Sequence, residues 1–315
     1  VVKEQEQPDG NFPTVDYPNP ENPDVFTLAI KLAKEKNADI IVGTDPDADR
    51  VGAVVKDDKG DYIVLTGNMT GALLTEYILS QRKAKGMLPA NGAVIKTIVT
   101  TEMVRPICEE YGVKLFDVLT GFKYIGEKIK EFEQSGEYQY VFGFEESYGY
   151  LIRPFVRDKD AIQSLVLLAE VAAFYKKQGK NLYDGLQELF EKYGYFAEKT
   201  IALTFDGIEG AQEIKDLMAK FRQELPTDFA GYKVIAAEDY QASSRQDAEG
   251  NVTTINLPKS NVLKYFLEDG TWIAVRPSGT EPKIKFYIGT QGTSEADAQA
   301  KCEKFEKAIN DFIKG

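Results

Sequence analysis

Between residues 67 and 193 the chain alternates segments of helical and strand character, and this alternation constrains the fold more than any other feature of the sequence. The spacing predicts a helix over 70–82, a strand over 93–99, a helix over 101–111, a strand over 113–118, a helix over 122–134 and a strand over 138–144. Two more helices are expected over 161–177 and 182–193, the first strongly apolar. Such alternation builds a sheet with helices on its faces, and about 125 residues make a complete domain of that kind. Beyond residue 195 the pattern changes. A strand at 199–205 and a helix at 209–223 precede strands near 232–236, 252–256, 262–267, 271–275 and 283–288. Ser294-x-x-Asp297 then resembles a capping box opening a final helix that ends near 313. Strands clustered between two helices suggest a separate, smaller α+β domain. Before residue 67, Asn22-Pro23-Asp24 offers an N-cap and a proline at the first helical position for a helix to about 36. A strand at 40–42 and a hairpin across 51–65 follow, too little for a domain by themselves. The polar, proline-rich opening lacks Met and reads as the interior of a longer chain. The expectation is therefore α/β, in segments 1–66, 67–195 and 196–315.

The 315 residues carry a formal net charge of −12, which argues against nucleic acid as a partner. No apolar run approaches the roughly 20 residues of a membrane span, and no signal segment is visible, so a membrane partner is not expected. The two cysteines, Cys108 and Cys302, are far apart, fitting a reducing cytoplasm and excluding a cysteine-rich zinc module. Histidine is absent, leaving carboxylates, lysine and tyrosine for acid–base chemistry.

Four stretches hold the chemistry. In residues 43–52, GTDPDADRVG, Asp45, Asp47 and Asp49 alternate in a tight loop between predicted strands, with Arg50 beside them. Three like charges so placed favour a hard divalent cation on oxygen ligands, Mg²⁺, Mn²⁺ or Ca²⁺. An EF-hand would need Gly at the sixth loop position and Glu at the twelfth, where this sequence has Arg50 and Lys56. A solvated acidic turn is the other reading of the spacing. In residues 275–285, VRPSGTEPKIK, Arg276 offers a bidentate fork, Ser278 and Thr280 offer hydroxyls, Gly279 lets the backbone turn inward, and Lys285 adds charge. That set suits a phosphate dianion, although a capped Pro–Gly turn uses the same residues. Residues 143–151, GFEESYGYL, place Glu145, Glu146 and Ser147 between glycines, a turn able to accept sugar hydroxyls or simply to be solvated. Lys123, Arg153, Arg157 and Lys159 form a basic group suited to an anionic ligand; alternatively Asp158 or Asp160 caps a helix there and Arg157 is solvated.

Together these loops resemble the α-D-phosphohexomutase superfamily, phosphoglucomutase in particular, along nearly the whole chain and in the family's order. The resemblance implies that Asp45, Asp47 and Asp49 bind Mg²⁺ and that Arg50 lies near the reacting phosphate. It implies that Glu145 and Ser147 hold sugar hydroxyls, and that Arg276, Ser278, Gly279 and Thr280 grip the non-reacting phosphate. Lys123, in TGFK, and Arg157 with Lys159, in VRDKDA, match further functional positions. The implied activity is reversible interconversion of glucose 1-phosphate and glucose 6-phosphate, through a phosphoserine enzyme and glucose 1,6-bisphosphate. Lys123 is the candidate general base if neighbouring cations lower its pKa. Family members have four domains around a cleft, and their nucleophilic serine lies in a T-A-S-H-N-P-like motif that these residues do not contain. On the resemblance, the chain is the end of domain 2 followed by domains 3 and 4, its partners being a phosphosugar and the N-terminal domains of the same protein. It is expected to bind without turnover. Phosphomannomutase, phosphopentomutase or a non-catalytic phosphosugar-binding module are the alternatives, although EESYG is closer to the glucose-type loop.

Overall fold

The computed structural model describes residues 1–205, 207–223, 226–278 and 282–314. The chain divides into two compact units, Val1–Tyr193 and Gly194–Gly315.

In the first unit a 3₁₀ turn, Pro23–Phe26, leads into helix α1 (Thr27–Lys36). Its start is the one expected: Asn22 caps it by accepting from Asp24 N, although the first turn is 3₁₀ and not α. Asn37, in the left-handed region with φ 52°, ends α1. Strands β1 (Ile40–Thr44), β2 (Val51–Lys56) and β3 (Tyr62–Val64) form an antiparallel sheet in that order. The acidic loop is the connection between β1 and β2, and the expected domain limit at 66/67 falls between β3 and the next helix, α2 (Gly67–Ala84). There follow β4 (Gly92–Thr97), α3 (Val104–Tyr111), β5 (Lys114–Val118), α4 (Phe122–Ser135), β6 (Gln139–Glu145), β7 (Gly149–Leu151), α5 (Ala161–Lys176) and α6 (Leu182–Tyr193). The second sheet runs β5-β4-β6-β7, parallel except for the last pair, and is therefore mixed. β4 lies at its centre and is buried along its whole length, which is why its apolar residues run on instead of alternating. Ile125, Ile129 and Phe132 of α4 pack with Ala93, Ile95 and Val118 against one face, each large side chain stabilising by about 1.5–3 kcal/mol. The three-residue β7 was not expected; it turns the chain back along β6 immediately after the EES loop.

The second unit begins with β8 (Tyr195–Thr204) and α7 (Gly207–Gln223). β9 (Asp228–Phe229), β10 (Tyr232–Asp239), β11 (Ser244–Asp247), β12 (Val252–Thr254), β13 (Leu263–Leu267), β14 (Trp272–Pro277), β15 (Lys283–Gly292) and α8 (Glu295–Lys314) complete it. Its antiparallel sheet runs β12-β11-β10-β13-β14-β15-β8, with β9 on β10. Met218 and Phe221 of α7 and Cys302, Phe305 and Ile309 of α8 bury Tyr265, Val275 and Phe286 of the sheet. This is the expected α+β arrangement. Ser294 caps α8 as anticipated, its Oγ accepting from Asp297 N at 3.2 Å. Among the described residues no helix is long and apolar enough to cross a membrane.

Candidate active site

The acidic loop is held by one of its own carboxylates. Asp45 Oδ1 accepts from Asp49 N at 3.1 Å and Arg50 N at 3.0 Å, while Asp45 N donates to Arg50 O. Closing so small a turn puts Ala48 in the left-handed region, φ 54°, where a side chain is strained. Carboxylate oxygens of Asp45, Asp47 and Asp49 thereby come within 4.8 Å of one another. Burial pushes the Asp45 carboxyl above its ordinary range, the Arg50 N–H pulls it back, and the charges of Asp49 and Asp47 raise it further. Excess negative charge on a convergent, all-oxygen donor set fits Mg²⁺, with Asp45 Oδ2 left over from the backbone contacts.

Two cations border the loop. Arg50 Nε stands 3.7 Å from both Asp45 Oδ2 and Asp49 Oδ1, and its Nη1 donates to Glu21 at 2.7 Å. Lys159 Nζ lies 2.8 Å from Asp49 and 3.1 Å from Asp158. Burial works against the Lys159 charge, but the bonds to Asp49 and Asp158 outweigh it and leave its pKa above the ordinary value. The lysine reaches Asp49 by crossing Gly149, where a Cβ would come within 2.2 Å of its Cδ. Glycine is required there by close approach.

The EES loop adjoins the acidic loop directly. Arg50 and Gly149 form an isolated antiparallel bridge, Val51 N donates to Tyr148 O at 3.1 Å, and Ala161 N donates to Ala48 O at 3.0 Å. Tyr148 is the second left-handed residue of the site, φ 65°. Glu145 is buried, 6% exposed, and its Oε1 accepts from Gly121 N at 2.9 Å, which ties the TGFK turn to this loop. Burial first, then the charge of Glu146, push the Glu145 carboxyl up to about 7, against the Gly121 N–H and Lys159. Glu146, paired with Glu145 in the expected hydroxyl-accepting turn, is instead engaged by the protein: Thr97 and Thr100 hydroxyls lie 3.2 and 3.3 Å from its Oε2, and burial raises it too. Ser147 is half-buried between them and Tyr148.

The other expected residues are distributed differently. Lys123 is exposed on the first turn of α4, its ammonium 4.9 Å from the centre of the Tyr124 ring, two residues from the Glu145 contact. Arg157 is exposed and held by Glu133 at 2.6 Å and by Pro154 O at 2.8 Å, and neither partner belongs to the acidic or EES loop. Asp160 caps α5, as the alternative reading of that stretch anticipated. In the second unit Arg276 and Lys285 are direct partners across β14 and β15, both half-buried, so their side chains emerge on one face. Ser278 N donates to Lys283 O at 2.8 Å, narrowing the loop between these strands. Gly279 and Thr280 lie outside the described residues.

The fold of both units is that of sugar-phosphate mutases. A phosphomannomutase-like protein from Thermus thermophilus matches over 95% of this chain and 51% of its own, with TM-score 0.63 and 19% identity. Parafusin, a phosphoglucomutase from Paramecium, matches over 95% of this chain and 49% of its own, with TM-score 0.61 and 19% identity. Family models for phosphoglucomutase/phosphomannomutase match as domain II at residues 1–60, domain III at 66–193 and the C-terminal domain at 209–307. The chain belongs to the phosphoglucomutase/phosphomannomutase family. A phosphoglucomutase of Staphylococcus epidermidis is 43% identical over 99% of this chain, and one of Staphylococcus haemolyticus is 40% identical over 91%. The chain spans about half the length of these curated relatives, 55% and 52%.

Proposed function

We propose that this chain supplies the metal, sugar and distal-phosphate loops of a phosphoglucomutase that interconverts glucose 1-phosphate and glucose 6-phosphate. The observation carrying this reading is the junction of two loops: the bridge between Arg50 and Gly149 and the Lys159–Asp49 ion pair bring the acidic triplet to the EES turn. A cation next to hydroxyl acceptors is what transfer of a phosphoryl group to a sugar requires. The staphylococcal relatives favour glucose as the sugar. The family-model limits support segments 1–66, 67–195 and 196–315 as parts of domains 2, 3 and 4.

In this reading Asp45, Asp47 and Asp49 hold Mg²⁺, which supplies Lewis-acid stabilisation of charge on a phosphoryl oxygen. Arg50 presents its guanidinium to the same oxygens, and Lys159 balances the aspartates until substrate arrives. Glu145, poised near neutrality, accepts or donates toward a sugar hydroxyl, with Ser147 beside it. Arg276, Ser278, Gly279 and Thr280, with Lys285, take the phosphate that does not react. Lys123, two residues from the Gly121–Glu145 contact, is the candidate general base, and Arg157, held by Glu133, adds positive charge without reaching either loop. The phosphoserine donor has no motif in these residues, so the chain alone binds phosphosugar and does not turn it over. A coupled assay with glucose 1-phosphate, Mg²⁺ and glucose 1,6-bisphosphate tests this. Turnover is expected only when this chain is part of the full-length protein. Turnover of the isolated chain, or a full-length protein preferring mannose 1-phosphate, would overturn the respective claim.

A further inference from the structure

The acidic loop has a strap that neither the motif nor the family match accounts for. Gly43 and Gly52, the first and last residues of the GTDPDADRVG stretch, are direct partners across β1 and β2. A Cβ on Gly43 would come 2.9 Å from the Phe26 ring, and one on Gly52 would come 2.8 Å from that ring and 2.9 Å from Pro20. The glycine pair is thus a flat floor on which Pro20 and Phe26, both buried, lie in direct contact. Between these two anchors the chain is fixed further: Glu21 N donates to Asn19 Oδ1 at 2.9 Å, and Asp24 N donates to Asn22 Oδ1 at 3.1 Å. Glu21 is delivered by this strap to the one long cationic side chain that belongs to the acidic loop itself. Its Oε1 accepts from Arg50 Nη1 at 2.7 Å across a separation of 29 residues.

We propose that Glu21 is a positioning residue that holds the Arg50 guanidinium beside, and not upon, the three aspartates. The proposal rests on the reading of Arg50 as the group facing the transferring phosphoryl. An arginine next to three carboxylates is drawn onto them, where it would occupy the oxygens a cation needs. Here Nε stays 3.7 Å from Asp45 and from Asp49, while the short charge-assisted bond, 2.7 Å, runs from Nη1 to Glu21. A carboxylate outside the triplet therefore competes with the loop for the guanidinium and aims the fork. Both side chains keep solvent access, 33% for Arg50 and 38% for Glu21, so the fork is held at the surface where a phosphate can reach it.

The test uses the full-length protein. Glu21→Ala is expected to lower kcat for glucose 1-phosphate about tenfold with KM changed by less than about threefold, because alignment in the transition state is lost and ground-state binding is not. Glu21→Gln keeps an acceptor for Nη1 and is expected to restore kcat to within about threefold. In an Arg50→Ala background Glu21→Ala is expected to add nothing; a full additional tenfold loss there means that Glu21 does not act through Arg50 and overturns the proposal. A second readout does not depend on turnover. The Arg50 Nε–Hε resonance, assigned by its disappearance in Arg50→Lys, is expected to be sharp in the wild type and to shift and exchange rapidly in Glu21→Ala. An unchanged resonance overturns the proposal. A responsive resonance in a protein without mutase activity supports the positioning role and overturns only the functional reading.

Discussion

Glu145 carries the most informative titration in the molecule. Its carboxyl is raised from an ordinary 4.5 to about 7, chiefly because burial penalises the charged form. A carboxyl raised on folding makes the native state bind more protons than the unfolded chain between those two values. Stability contributed by this group is then fully present below about pH 4.5 and is lost as pH rises through about 7, by up to about 3 kcal/mol. Glu145→Gln keeps the acceptor for Gly121 N and removes the titration. Urea unfolding of the first unit is expected to lose stability from pH 5 to pH 8 in the wild type and to show a smaller loss in the variant, which will be the more stable of the two at pH 8. Equal slopes would mean that Glu145 is solvated. The aspartates behave in the opposite sense with respect to ligand. Asp47, the exposed member of the triplet, repels Asp45 and Asp49 when no cation is bound, so Asp47→Asn is expected to raise the melting temperature in a chelator. With Mn²⁺ as the probe the same variant is expected to lose about tenfold or more in affinity, reversing the order of melting temperatures at saturating metal. Melting curves with and without Mn²⁺ decide it, and the same order in both conditions contradicts the metal reading.

At the level of elements, the support beneath the EES loop is an ion network around one buried lysine that joins β4 to β5. Lys96, fully buried, is the register partner of Asp117, and its Nζ lies 2.6 Å from Asp117 Oδ1. Glu102 is 3.0 Å away, and Arg105 reaches both Glu102 and Asp117 at 2.8–2.9 Å. Burial works to raise the Asp117 carboxyl, and Lys96 and Arg105 outweigh it, holding it well below the usual carboxylate range. The same ammonium donates to Thr97 O and Thr100 O, the residues whose hydroxyls hold Glu146. Lys96→Met leaves two acids sharing one arginine and is expected to cost about 3–5 kcal/mol in urea unfolding. A loss below about 1 kcal/mol would show that the network adjusts through water. None of this was legible in the sequence, where Lys96 only interrupts an apolar run and its partner lies in another strand. The elements read well were those with long local periodicity, such as α4 and α8, and the continuous apolar run of β4. Those missed were β7 and β9, three and two residues long and defined by their pairing with β6 and β10, and β11, the polar SRQD with no apolar alternation to mark it. In the site, the contiguous acidic triplet was legible because spacing alone brings it together. The left-handed Ala48 and Tyr148 and the Glu21–Arg50 bond were not, because each depends on packing between distant segments.

For the molecule as a whole, the consequence of two compact units is that Arg276 and Lys285, proposed to take the distal phosphate, belong to only one of them. Arg276 and Lys285 face the same way because β14 and β15 are hydrogen-bonded neighbours, and that pairing is set by the core beneath them, Val275 and Phe286 against α7 and α8. Among the described residues, every member of that core lies in the second unit. Residues 194–315 expressed alone are therefore expected to fold cooperatively, with a calorimetric unfolding enthalpy of about 85 kcal/mol near 60 °C. The isolated unit is expected to bind inorganic phosphate, with Arg276 supplying the bidentate contact and Lys285 a second charge from the neighbouring strand. Arg276→Ala should remove binding while leaving the transition in place, and Lys285→Ala should weaken binding less, since a point charge is lost and not a fork. Titration calorimetry on the three forms provides the check. Phosphate affinity unchanged in Arg276→Ala would place the anion elsewhere on this unit and detach Arg276 from the distal-phosphate role.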